Sequence, residues 1–75
     1  MRSIEIAGRA YRIFVFAGIH EDDRKVECHE IEPDRQVCEI RVTDAGDAYF
    51  TLVAGELPVQ VVRATLDYLD EMTGR

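Results

Sequence analysis

Apolar and polar residues alternate with a period of two along much of residues 3–54, and the spacing then becomes helical. The first alternating stretch, SIEIAGRAYRIFVFA (residues 3–17), predicts a β-hairpin. A two-residue loop at Gly8-Arg9, with glycine first, suits a type II′ turn. That register pairs Ala7 with Ala10, Ile6 with Tyr11, Glu5 with Arg12 and Ile4 with Ile13. Ile4, Ile6, Tyr11, Ile13 and Val15 then share one face, and Phe14 and Phe16 fall on the other.

Residues 18–25, GIHEDDRK, break the alternation and predict a polar connector. QVCEIRV and AYFTLVA predict a second hairpin around Asp44-Ala45-Gly46, with Gly46 in the left-handed position of a three-residue loop. Its register pairs Val42 with Ala48, Ile40 with Phe50 and Cys38 with Leu52. The other face takes Glu39, Arg41, Tyr49 and Thr51.

VECHEIE, just before this hairpin, is a weaker strand with two registers open to it. A loop at residues 32–34 sets Cys28 directly opposite Cys38. A loop at 33–35 sets Cys28 opposite Ile40, leaves the cysteines diagonal and is the preferred expectation. Either way Glu30 points inward, against the usual rule for a carboxylate.

LPVQVVRATLDYLDEMTG predicts a helix, with Pro58 at its first position and Gly74 as its stop. Val59, Val62, Leu66 and Leu69 form the expected core stripe. Val61, Tyr68 and Met72 widen the apolar face beyond what one contact needs. No Ser, Thr, Asp or Asn caps the N-terminus, and acids crowd the C-terminal half, where the macrodipole disfavours them.

The expected fold class is therefore α+β. A single domain over residues 1–75 holds an antiparallel meander of four to five short strands, with one C-terminal helix packed across one face in two layers. So short a chain buries only about 60% of its unfolded surface. Surplus apolar side chains at Phe14, Phe16, Val61, Tyr68 and Met72 make a homodimer interface the natural expectation, with a further protein partner also open.

Charge narrows the function classes. Nine Lys and Arg face fifteen Asp and Glu, a net charge of −6. Residues 20–47 alone hold ten acids and four bases, so a phosphate backbone is repelled there and nucleic acid is not an expected partner. The apolar run IFVFAG is too short for a membrane span or a signal core, which makes the cytoplasm the expected location and reduced thiols the expected state.

The chain has two cysteines and two histidines. His20, Cys28, His29 and Cys38 are the candidate ligands for a metal- or redox-responsive protein. Their spacing fits zinc poorly, because Cys28 and His29 are adjacent and point to opposite faces of a strand. A second alternative is a small enzyme or ligand binder on the outer sheet face, using Glu27, His29, Glu39, Arg41 and Tyr49. It lacks a nucleophile, since Ser3 is the one serine and both cysteines point inward. No P-loop, dinucleotide fingerprint, nucleophile elbow or calcium-loop spacing occurs. The expectation is a small acidic soluble protein without cofactor, a non-catalytic interaction or accessory module that self-associates.

Overall fold

The computed structural model describes residues 1–17 and 24–73. Most of the polar connector, His20 included, and the expected helix stop at Gly74 lie outside the described residues. Five antiparallel strands form one sheet in chain order: β1 (Arg2–Ile6), β2 (Arg9–Ala17), β3 (Arg24–Glu30), β4 (Arg35–Val42) and β5 (Ala48–Leu52). One helix, α1 (Val59–Thr73), follows and lies on one face. This is the expected α+β meander.

The first turn differs by one residue from its expected position. It is Ala7-Gly8, and both residues are left-handed, with φ of 55° and 76°. That is the type I′ requirement, whose twist matches that of the flanking strands. Ile6 now pairs with Arg9, Glu5 with Ala10 and Ile4 with Tyr11, so Arg12 faces Ser3 and not Glu5. Sliding one residue on each strand keeps the side-chain phase. Tyr11 and Ile13 are buried on the helix side as expected, with Ile4, Ile6 and Val15 partly buried beside them.

The β4–β5 hairpin has the expected register, with Val42 opposite Ala48, Ile40 opposite Phe50 and Cys38 opposite Leu52. Gly46 sits at φ 93°, its N–H donates to the Thr43 carbonyl at 2.9 Å, and Thr43 N–H donates to the Asp47 carbonyl at 2.8 Å.

Between β3 and β4 the preferred register is overturned. Cys28 lies directly opposite Cys38 and Val26 opposite Ile40. A β-bulge follows: His29 pairs with Gln36 and Glu30 with Arg35, which leaves Val37 as the extra residue. The bulge resolves a conflict of phase. Val37 and Cys38 are consecutive and both buried, whereas Gln36 turns outward and donates from Nε2 to Glu39 Oε2 at 3.1 Å. It also brings Arg35 to the same face as Glu30. The remaining connection is a four-residue turn, Ile31 to Asp34, containing the cis Glu32–Pro33 bond.

The helix is rotated from its expected orientation. Its buried residues are Val61, Thr65 and Tyr68, with Ala64 and Leu69 partly buried beside them. Val59 and Leu66, expected in the core, are 59% and 44% exposed. The reason lies in Thr65, which a polar–apolar pattern counts as a break in the stripe. Its hydroxyl donates to the Val61 carbonyl at 2.9 Å, so it enters the core with its polar group satisfied. It is small enough to sit over the cysteines, with its Oγ1 4.0 Å from Cys38 Sγ.

Candidate interaction surface

The helix backbone approaches β1, β2 and β3 but neither β4 nor β5. Its orientation about its own axis follows from Arg2 on β1. That guanidinium pairs with Glu71 and lies 5.5 Å over the Tyr68 ring. The Glu71 flank therefore leans toward β1. At 100° per residue, Val62 occupies the opposite flank, toward β4, while Val59 and Leu66 lie about 150° and 130° from the buried direction and face away from the sheet.

β4 is still covered, with Val37, Cys38 and Ile40 buried, but beyond it the sheet is left without a lid. Phe50 and Leu52 point to the helix side, opposite Ile40 and Cys38, yet are 46% and 44% exposed. All five residues of β5 are exposed. Exposed apolar side chains stand on both elements here, Phe50 and Leu52 on the helix side of the sheet and Val59 and Leu66 on the outer side of the helix, and none of these residues carries charge. Single exposed apolar residues are ordinary, whereas a contiguous patch marks an interface. The free edge of β5 belongs to the same region. Thr43 N–H reaches the Asp47 carbonyl and Val53 N–H reaches the Val37 carbonyl, so odd-numbered residues of this strand bond to β4. The backbone groups of Ala48, Phe50 and Leu52 therefore point to the open edge, which lacks the charges or proline that usually guard one.

The sequence-predicted interface residues divide. Val61 and Tyr68 are core residues and are unavailable at the surface, a correction that follows from the helix rotation. Phe14 is half-buried on the outer face, its ring 5.0 Å from that of His29. Phe16 stays 51% exposed on that outer face. Met72, also 51% exposed, borders a pocket of about 270 Å³ at the far end of the helix with Val15, Val42 and Leu69. Phe50, Leu52, Val59 and Leu66 were missed as surface. Alternation assigns them to a core without revealing how many strands one helix can cover.

The candidate metal ligands are separated. Cys28 and Cys38 are buried under α1, free and unbridged. His29 is on the outer face, with Nε2 3.0 Å from Glu27 Oε1 and Nδ1 3.5 Å from Asp34 Oδ1. No group of three or more His, Cys, Asp or Glu among the described residues is placed to hold a metal ion. His20 lies outside them. Of the outer-face residues, Glu27 lies opposite Glu39, and the Arg41 guanidinium stacks 4.8 Å over the Tyr49 ring. They form a surface of paired side chains spread along three strands.

A cleft of about 930 Å³ opens where the Ala7-Gly8 turn meets the segment before the helix. Glu30 lies at its base, 5% exposed at the side chain, with Arg9 Nη1 3.1 Å from one carboxylate oxygen and Arg35 Nε 3.7 Å from the other. The inward carboxylate is thus compensated on both sides, as burial of a charge demands. Glu56 also lines this cleft, so its two arginines and two glutamates balance and select no charge on a ligand. No helix among the described residues is long and apolar enough to cross a membrane. Comparisons with protein-family models, with curated proteins and with solved structures yield no match to this chain.

Proposed function

We propose that the protein is a non-catalytic interaction module that self-associates through the uncovered apolar residues of β5 and α1. The observation that carries this is the uncharged set Phe50, Leu52, Val59 and Leu66, each 44–59% exposed. One chain supplies an edge strand, β5, lacking a helix and an outer helix side lacking a sheet. A second copy turned face to face supplies both, with its Val59–Leu66 side seated on Phe50 and Leu52. The contact is isologous, as a two-fold dimer requires. Net charge opposes association weakly at these residues, because the acidic excess belongs to residues 20–47.

Full burial of a large apolar side chain contributes about 1.5–3 kcal/mol, so four half-exposed ones contribute roughly 3–6 per chain and about twice that across a two-fold axis. Association costs about 4–15 kcal/mol, which places the dimer in the micromolar range or weaker.

Gel filtration with light scattering over a dilution series tests this. The expected mass rises from 8.6 kDa toward twice that value. Phe50→Asp and Leu66→Asp should hold the chain at the monomer mass. Ala48→Pro blocks only the free β5 edge and should leave the dimer intact; its failure to dimerise would move the contact to that edge. Loss of the dimer in Phe16→Asp alone would move it to the outer sheet face. A mass of 8.6 kDa at every concentration overturns self-association.

A further inference from the structure

We propose that Cys28 and Cys38 are a modification site, a dithiol pair that hydrogen peroxide converts to a reversible cross-strand disulfide. The two residues are direct partners on neighbouring antiparallel strands, and both are unbridged and fully buried. The phase of β4 gives their spacing. Val37 and Thr43 turn their backbone groups to β5, so the even-numbered residues Cys38, Ile40 and Val42 turn theirs to β3. Cys28 and Cys38 therefore occupy a hydrogen-bonded position, where α-carbons stand about 5.5 Å apart. That lies inside the ~4.4–6.8 Å range of disulfides. Both side chains lie on the helix side of the sheet, so a bridge needs no change of strand register, only a small closing of the Cβ–Cβ distance from ~4.5–5.5 Å toward ~3.5–4.5 Å.

The pair is chemically asymmetric. Cys38 has the Thr65 hydroxyl 4.0 Å from its sulfur, and the contact between the two thiols raises the pKa of Cys28 and lowers that of Cys38. Cys38 thus loses its proton first and is the attacking thiolate. Its sulfur displaces hydroxide from hydrogen peroxide and becomes a sulfenic acid. The Cys28 sulfur then attacks the Cys38 sulfur, the S–O bond breaks, and water leaves with the Cys28 proton. Two thiols and one peroxide give one disulfide and two waters, a two-electron oxidation.

Burial selects the oxidant. Neither sulfur is reachable from outside, and Thr65 roofs Cys38. A molecule near the size of water needs only a slight lift of α1, whereas a bulky disulfide reagent needs the helix displaced. The inference is independent of self-association.

The test uses the full reduced chain, treated with hydrogen peroxide, then denatured, alkylated and weighed intact. The expected product has lost two hydrogens and takes no alkyl group on cysteine. A thiol reductant should restore two alkylatable cysteines. Hydrogen peroxide should act at least tenfold faster than oxidised glutathione at equal concentration; equal rates would overturn the access argument. In Cys28→Ala a sulfenic acid should be trapped at Cys38 by a dione probe, and more of it than at Cys28 in Cys38→Ala; the reverse order overturns the assignment of the attacking thiol. Two alkylatable cysteines remaining after Met1 and Met72 have become sulfoxides overturns the proposal. So does a bridge that forms only in denaturant or between chains.

Discussion

One substitution made at two helix positions tests the orientation of α1. Val61 and Val59 are two residues apart and identical in chemistry. Val61 is fully buried, and Val59 is 59% exposed. Val→Ala removes two methyl groups. At about 0.8 kcal/mol for each buried carbon the transfer loss at Val61 is about 1.6 kcal/mol. The unfilled space beneath the helix adds about 1 kcal/mol. Alanine returns a few tenths through its better helix propensity. Val61→Ala should therefore lose about 2 kcal/mol, a large fraction of the stability of so short a chain. At Val59 the transfer loss falls to well under half and the propensity gain nearly cancels it, so Val59→Ala should stay within about 0.5 kcal/mol. Urea unfolding followed by circular dichroism, at the lowest workable protein concentration, measures both. A difference of about 2 kcal/mol corresponds to a melting shift of roughly 8–16 °C in a chain of this size. An equal or larger loss at Val59 would refute the orientation, and with it the claim that Leu66 lies on the outer side of the helix.

Two further predictions concern the turns and the buried carboxylate. Gly46→Ala should cost about 1 kcal/mol in thermal melts, because φ is 93° and an added Cβ meets nothing within 4 Å, so the loss is purely that of the backbone. Ala7→Gly should gain up to about 1 kcal/mol, since alanine at φ 55° holds a left-handed position that glycine occupies freely; a loss of stability there would contradict the type I′ turn. Arg9→Ala and Arg35→Ala should each cost about 1 kcal/mol or less in urea, because both guanidiniums are more than half exposed. The double variant leaves Glu30 buried without a partner and should cost about 3–5 kcal/mol; simple additivity would show that the carboxylate relies on neither.

Much of the fold is legible locally. Alternation and turn chemistry place the strands, because side-chain phase and left-handed loop positions are properties of a few adjacent residues. Asp44-Ala45-Gly46 yields its hairpin register outright, and even the displaced Ala7-Gly8 turn preserves which side chains face inward. The switch to helical spacing after Pro58 places α1. The inward-pointing Glu30 was visible too, but its partners were not. Arg9 is twenty-one residues away, and Arg35 reaches it only because the bulge at Val37 shifts the phase of β4.

Three features depend on tertiary structure. The β3–β4 register, and with it the opposition of Cys28 and Cys38, is a competition between two loops that differ by one residue, and the sum of contacts across the sheet decides it. The rotation of α1 depends on Thr65, whose hydroxyl is satisfied within the helix and so counts as core, which no polar–apolar pattern conveys. Coverage is a matter of widths: one helix lies over β1 to β3 and reaches Cys38 on β4 through Thr65, and β5 is left beyond it. Local sequence chooses elements and faces because those follow from steric limits along the chain. The pairing of faces follows from summed packing over residues distant in sequence, and here that packing leaves Phe50, Leu52 and Leu66 outside a core for which their pattern suits them.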